Sequence, residues 1–275
     1  MKLEFLNGDC LKTLPTLSAE SFDLVVTSPP YNLGINYSSF KDTAPREEFL
    51  AWCKQWATEV KRVMADDASF FLNIGAAPSN PLLPHQLILA LTEEPDPLFI
   101  LQNTFHWIKS ISIETTAGQQ ISAGHFKPIN SKRYVNDCHE YVFHLTKTGN
   151  VPLDRRSAGV PYQDKSNIAR WGHTGGKDLR CRGNTWFIPY ETIQSRKGER
   201  PHPATFPVAL AAQCIKIQGK AEATRMLDPF LGIGSSALAA KSIGIASFTG
   251  IEIDPDYLAV AKRRLDPPKE PGSLT

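Results

Sequence analysis

The sequence predicts an α/β fold, a doubly wound, mostly parallel sheet with an inserted irregular region, and three observations predict it. Short apolar runs at residues 24–26, 68–74 and 248–251 alternate with segments of helical periodicity, the pattern of an open sheet with helices on both faces. Two strands run straight into unusual turns, Thr27-Ser28-Pro29-Pro30-Tyr31 and Asp228-Pro229-Phe230-Leu231-Gly232-Ile233-Gly234. Between those turns lies a long stretch without periodicity. A chain of 275 residues, 41% of them hydrophobic, has ample material for such a core. No apolar run approaches the ~20 residues of a membrane span, and the start Met1-Lys2-Leu3-Glu4-Phe5 does not read as a signal peptide. A cytoplasmic protein with no membrane partner is expected. Its five cysteines, Cys10, Cys53, Cys138, Cys181 and Cys214, form no C-x-x-C pair and argue against a zinc knuckle or a disulfide framework.

Taken in order, residues 3–6 read as an edge strand running into Asn7-Gly8-Asp9. There Gly8 supplies a turn and Asp9 caps a short helix carrying Leu11, Leu14 and Leu17, curtailed by Pro15. After the buried strand at 24–26, each proline fixes its own φ near about −65° and biases the residue before it toward extended geometry. The turn is therefore stiff. It offers the Ser28 hydroxyl, carbonyls with no competing proline N–H, and the Tyr31 ring, although on its own it reads equally as a packed Pro-Pro turn. Residues 32–45 read as a loop of the kind that closes over a substrate. From Pro45 onward, Phe49, Trp52, Trp56, Val60 and Val63 recur at spacings of three and four, with Glu47 and Glu48 early and Lys61 and Arg62 late. That predicts a scaffold helix whose tryptophans belong to the core. Residues 68–74 are the next strand, 78–84 a proline-rich loop, 85–91 a helix and 98–108 a long strand. A polar, turn-rich stretch from 109 to 137 precedes a strand at 139–146, HEYVFHLT.

From residue 150 to 200, ten Lys or Arg stand against five acids, a local net charge of +5 in a chain whose total is +2. Interleaved Tyr162, Trp171, Trp186, Phe187 and Tyr190 suit the region to phosphate neutralisation and base contact, against the alternative of a plain solvated basic surface. The candidate nucleic-acid contacts are Lys132, Arg133, Arg155, Arg156, Lys165, Arg170, Trp171, Arg180 and Arg182. Beyond it, Met226-Leu227-Asp228 ends a strand, the glycine-bearing turn follows, and Ser235 opens an Ala-rich helix to residue 243. After the strand at 248–251 comes Glu252, 18 residues beyond Gly234. An acid at that position is placed to hold ribose hydroxyls. Gly232-x-Gly234-x-x-Ala237 also fits a loose dinucleotide fingerprint, which makes an NAD-dependent oxidoreductase the first rival. Asp254-Pro255 starts the last helix, and 266–275 reads as a disordered tail.

These motifs together resemble the β-class amino DNA methyltransferases over nearly the whole chain. SPPY, Ser28 to Tyr31, resembles the family's catalytic tetrapeptide, and DPFLGIGSS resembles its S-adenosylmethionine loop, with GIEID as the acidic strand end after it. NGDC resembles the family's G-D element, whose acid contacts the cofactor adenine. HPATFP resembles the segment leading into the cofactor half, although Phe206 and Pro207 stand where a lysine is common. The resemblance implies a Rossmann-like methyltransferase fold, circularly permuted so that the catalytic half (1–108) comes first. A strand and the DNA target-recognition region follow (109–200), and the cofactor half (201–265) comes last. It implies Ser28, Pro29, Pro30 and Tyr31 as catalytic residues and S-adenosylmethionine as cofactor, held by Asp9, His202, Asp228, Pro229, Phe230, Gly232, Gly234, Ser235 and Glu252. It requires no metal. The implied partner is double-stranded DNA, with the enzyme either solitary or paired with a cognate restriction endonuclease, and the protein itself a monomer or homodimer.

The chemistry accounts for those residue types. The exocyclic amine of cytosine or adenine is a poor nucleophile because its lone pair is delocalised into the ring. Acceptors that hold its hydrogens more tightly toward the transition state lower the barrier. Methylation at cytosine C5 would need a thiolate, typically in a Pro-Cys dipeptide, and the sequence contains none. Serine rather than aspartate in the tetrapeptide points, by resemblance, to N4 of cytosine, with N6 of adenine as the alternative. An RNA methyltransferase and a DNA-binding module with a vestigial site are further alternatives.

Overall fold

A computed structural model describes residues 1–78, 80–93, 95–124, 130–190, 205–219 and 221–266. Its strands are β1 (Lys2–Asn7), β2 (Phe22–Thr27), β3 (Met64–Ile74), β4 (Ile100–Ile108), β5 (Ser110–Glu114), β6 (Gln120–Gly124), β7 (His139–Thr146), β8 (Thr185–Phe187), β9 (Arg225–Asp228) and β10 (Ser247–Glu252). Its helices are α1 (Cys10–Thr13), α2 (Arg46–Val63), α3 (Leu83–Thr92), α4 (Ser166–Arg170), α5 (Val208–Gln218), α6 (Ser235–Ile243) and α7 (Pro255–Leu265). Eight strands form one sheet in the order β1-β10-β9-β2-β3-β7-β4-β8, while β5 and β6 pair apart from it as a hairpin. The five strands from β1 to β3 are mutually parallel, and β7 runs antiparallel to both of its neighbours. Among the described residues no helix is long and apolar enough to cross a membrane.

Strand alternation sends successive side chains to opposite faces, and each face finds its own helices. Val25, Phe70, Leu72, Leu227 and Ile251 pack with Cys10 and Leu14 around α1, with Phe49, Trp56 and Val60 of α2, and with Leu87 of α3. Leu24, Val26, Phe71, Met226 and Phe248 pack on the other side with Leu210 and Cys214 of α5, Ala237 of α6 and Leu258 of α7. The sheet is therefore doubly wound, as the alternating pattern requires. The α2 helix has the predicted form, with Glu47 and Glu48 in its first turn, Lys61 and Arg62 in its last, and a buried stripe from Phe49 to Val63. Opposite charges at those ends complement the helix dipole.

Residues 109–200 are not a wholly separate insertion, because β7 and the short β8 both belong to the main sheet. Trp186, read as a candidate base contact, is 1% exposed and stacks on Phe105 with ring centroids 4.3 Å apart, so it is core. The hairpin of β5 and β6 and the helix α5 were not anticipated. The tail from 267 onward lies outside the described residues.

The chain leaves β2 toward β3 on one side, while β9, next to β2, leads toward β10 and β1 on the other. The pairing Leu24↔Met226 and Val25↔Leu227 marks this switch point. In an open parallel sheet the crevice for ligands lies outside the carboxyl ends of the strands at such a point. The two unusual turns stand there side by side.

Candidate active site

The carboxyl ends of β1, β10, β9, β2, β3 and β4, with the start of β7, open into one cavity of about 720 Å³. At one end stands the glycine-bearing loop. Pro229, Phe230, Gly232, Ser235 and Glu252 all line the cavity. Gly232 and Gly234 have φ of +54° and +82°, left-handed conformations that glycine adopts without steric cost. A Cβ on Gly234 would also lie 2.9 Å from Ala261 Cβ, so the loop packs directly on α7. Glu252 accepts from the Gly232 N–H at 2.7 Å and from the Asp254 N–H at 2.9 Å. Burial pushes its carboxyl above the usual range. The ring of Phe230 is wedged against Trp52 and Trp56, at 5.6 and 5.3 Å between centroids. Asp9 caps α1 by accepting from the Leu11 N–H at 2.9 Å and lines the cavity as well, so its two readings from sequence are compatible.

Asp228 and Gly234 do not line the cavity among the described residues. Asp228 is fully buried beneath the loop. Its carboxylate accepts from Thr27 Oγ1 at 2.6 Å, from the Phe230 N–H at 3.0 Å and from Ser236 Oγ. Burial raises its pKa from 3.8 to about 6. The expectation that Asp228 contacts the cofactor is corrected: it fastens the residue before Ser28 to the loop after β9, shaping both turns from below. His202 lies outside the described residues.

Ser28, Pro29, Pro30 and Tyr31 line the other end of the cavity. Ser28 Oγ lies 2.7 Å from Tyr31 Oη. Tyr31 donates to Glu140 Oε2 at 3.0 Å. Asn73 Nδ2 donates to Tyr31 Oη at 2.6 Å and to Glu140 Oε2 at 2.8 Å, and Lys109 Nζ lies 3.2 Å from Glu140 Oε1. Burial, followed by the Glu140 carboxylate, holds the Tyr31 phenol well above its ordinary pKa. Over the cavity, the loop from 32 to 44 is built around buried Asp42, which accepts from the N–H groups of Asn32, Leu33 and Ile35. Ser38 and Ser39 tie that loop to Asp254. Its Leu33, Ile35, Tyr37 and Phe40 contribute to the lining.

A family model described as a DNA methylase, of the N6/N4 type, matches residues 22–263, a span that includes both turns and every strand end between them. The chain belongs to that family. This methylase is 32% identical over 266 residues to the type II methyltransferase M.ScaI of Streptomyces caespitosus, covering 94% of the chain and 80% of the relative. It is 26% identical to the DNA adenine methyltransferase YhdJ of Escherichia coli strain K12, covering 95% of the chain and 82% of the relative. Among solved structures, the cytosine-N4-specific PvuII DNA methyltransferase superposes with a TM-score of 0.70 at 19% identity, over 96% of this chain and 86% of that one. A putative DNA modification methylase from Thermus thermophilus, complexed with S-adenosylmethionine, superposes with a TM-score of 0.59 at 23% identity, over 95% and 92%. The methylase is thus an S-adenosylmethionine-dependent enzyme acting on DNA.

The methylase carries its basic candidates on the surface, away from the cavity lining. Lys132, Arg133, Arg155, Arg156, Lys165, Arg170, Trp171, Arg180 and Arg182 are all exposed. Lys165 is paired with Asp178 at 2.5 Å, and the Arg133 guanidinium lies over the Tyr134 ring. Sequence reasoning missed Asn73, Lys109, Glu140 and Trp107, which line the cavity beside the Ser28 turn together with Tyr190, one of the aromatics read as suited to base contact. The available signals were a lone Asn near the end of an apolar strand and a lone Glu at the start of another. Trp52, assigned to the core with Trp56, lines the cavity too, whereas Trp56 is fully buried.

Proposed function

We propose that the methylase modifies the exocyclic N4 of a cytosine flipped out of duplex DNA at a specific sequence. The observation that carries the reading is one cavity lined at one end by the glycine loop and at the other by a stiff turn headed by serine, a neutral acceptor. S-adenosylmethionine supplies an electrophilic methyl: the amine lone pair forms the N–C bond, the C–S pair stays on sulfur, and one N–H proton must leave. The chain's residues do the rest. Asp9, Phe230, Gly232, Ser235 and Glu252 hold the cofactor. The buried Glu252 carboxylate sits where ribose hydroxyls are taken in related folds, and side-chain-free Gly232 lets the ligand approach the backbone. Pro229 stiffens this loop, and Asp228 and Gly234 fix its shape.

Ser28 Oγ and the Pro29 carbonyl accept the two amine hydrogens, interactions that strengthen as the nitrogen becomes pyramidal. Pro30 keeps the turn extended, and the Tyr31 ring stacks on the base. A base inside a duplex cannot reach this turn, so flipping is required. Holding amine and methyl in line supplies much of the rate. Exposed Lys and Arg from Lys132 to Arg182 neutralise phosphates, with Trp171 beside them. A cognate restriction endonuclease sharing the recognition sequence is part of the proposal, supported by the type II methyltransferases among the relatives.

The second reading, N6 of adenine, is favoured by the similarity to the E. coli enzyme named a DNA adenine methyltransferase. Mass spectrometry of nucleosides from duplex DNA treated with the protein and S-adenosylmethionine separates them. N4-methylcytosine is expected. N6-methyladenine alone would overturn the base assignment and leave the class standing.

A further inference from the structure

Behind the Ser28 turn, side chains from four strand ends meet. Ser28 and Tyr31 follow β2, Asn73 lies near the end of β3, Lys109 follows β4 and Glu140 begins β7. We propose that Glu140 is the terminal proton acceptor of methyl transfer, reached through Tyr31 and Ser28, and that it orients both hydroxyls so that Ser28 faces the target amine as an acceptor. The inference rests on the methyl-transfer reading above and holds for either base.

The direction of the network follows from counting protons. Asn73 Nδ2 has two, given to its short contacts, Tyr31 Oη at 2.6 Å and Glu140 Oε2 at 2.8 Å, with Ser28 Oγ farther off at 3.4 Å. A carboxylate only accepts, so the single Tyr31 proton points at Glu140 Oε2, 3.0 Å away. The 2.7 Å contact between Ser28 and Tyr31 must then be donated by Ser28. Ser28 Oγ, which also lies at 3.4 Å from the Asn73 amide nitrogen, keeps a lone pair for the amine. An opposite orientation would aim the Ser28 proton at the amine hydrogens and repel them.

The same path carries the proton out. As the N–C bond forms, the amine proton passes to Ser28 Oγ, the Ser28 proton to Tyr31 Oη, and the Tyr31 proton to Glu140 Oε2. Each hydroxyl gains one proton and loses one, and Glu140 ends as a neutral acid. The positive charge of the sulfonium and the negative charge of the carboxylate vanish in the same event. Glu140 and Asn73 are 8% and 3% exposed, so protein groups rather than bulk water surround this end of the path. Lys109 pairs with the oxygen that takes no part in the relay. Burial beside Glu140 keeps Tyr31 a neutral phenol that relays without itself ionising.

Glu140 acts through other groups and is a positioning residue, so its test must separate chemistry from shape. Glu140→Gln keeps the size and an acceptor oxygen for Tyr31 and Asn73, yet takes up no proton. Tyr31→Phe keeps the ring and removes the relay oxygen. Single-turnover methylation of duplex DNA is measured for the wild type, both variants and the double variant. Each single change is expected to slow the methyl-transfer step by about 100-fold, within the range of one lost proton-transfer group, and the double variant to be no slower than the worse single. S-adenosylmethionine and DNA affinities, and base flipping followed by 2-aminopurine fluorescence, are expected to match the wild type. Wild-type rates in Glu140→Gln, or single effects that multiply in the double variant, would overturn the relay. Should Glu140→Gln melt early, Tyr31→Phe decides alone, with an unchanged rate counting against the proposal. A wild type that transfers no methyl to DNA strikes the underlying reading instead, which active but unaffected variants would leave intact.

Discussion

Replacing Asp228 by asparagine tests whether this residue is the buried fastener between the two turns. A fully buried carboxylate whose pKa rises from 3.8 to about 6 is held more tightly protonated in the folded chain than in the unfolded one. Between those two values the folded state therefore binds more protons, and stability falls as pH rises through the window. The shift of about two units corresponds to ~3 kcal/mol at about 1.4 kcal/mol per unit. That is an upper figure for the pH-dependent part carried by this one group. Asparagine keeps an oxygen for Thr27 and the Phe230 N–H, offers its amide to Ser236, and does not titrate. Urea unfolding of both proteins from pH 4 to pH 8 is the assay. Asp228→Asn is expected to gain on the wild type as pH rises through 6, by up to ~3 kcal/mol, and to lose that advantage near pH 4. Asp228→Ala should instead destabilise at every pH, because it leaves three buried donors without an acceptor, each at about 1–3 kcal/mol before relaxation. Parallel pH profiles for wild type and Asp228→Asn would refute the reasoning.

Further outcomes follow from the same geometry. Glu252→Ala, which frees the Gly232 and Asp254 N–H groups and removes a cavity carboxylate, should weaken S-adenosylhomocysteine binding by calorimetry at least tenfold, as about 1.4 kcal/mol would. Gly75→Ala places a Cβ 3.0 Å from Glu140 Cγ and 3.1 Å from Tyr31 Cε2, and should reduce the single-turnover rate while leaving cofactor affinity intact. Trp186→Ala should cost about 3–5 kcal/mol of stability in denaturant titration, as for a large buried aromatic. Trp171→Ala, at a site 49% exposed, should leave stability unchanged and weaken DNA binding.

Much of the fold was legible because its central strands are unbroken apolar runs with turn residues at their ends. HEYVFHLT is β7 to the residue, and the Ala-rich run after Gly234 is α6. The α5 helix escaped because it shows almost no polar face: Leu210, Ala211, Cys214, Ile215 and Ile217 are all buried, and Lys216 is its only charge. Without two faces there is no period to read. The β5–β6 hairpin escaped because its alternation, Ser-Ile-Ser-Ile, spans only a few residues among turn formers. Both turns of the site were visible as motifs, yet the groups facing them were not. Asn73, Glu140 and Lys109 gather behind Tyr31 only because β3 lies next to β2 and is followed in the sheet by β7, which starts at that edge, and β4, which ends there, a fact of sheet order rather than of local sequence. Asp228 and Trp186 were misassigned for one shared reason: a motif or a basic neighbourhood names a residue type without saying which way its side chain is turned.

The central claim is that the Ser28 turn performs the chemistry in a cavity whose far end holds the cofactor. Its most direct test is the rate of methyl transfer from labelled S-adenosylmethionine to duplex DNA by Ser28→Ala, measured beside the affinity of the same variant for S-adenosylhomocysteine. A rate lower by ~100-fold or more is expected, the cost of losing one preorganised polar contact to the reacting group, with affinity equal to that of the wild type. Transfer at the wild-type rate would contradict it.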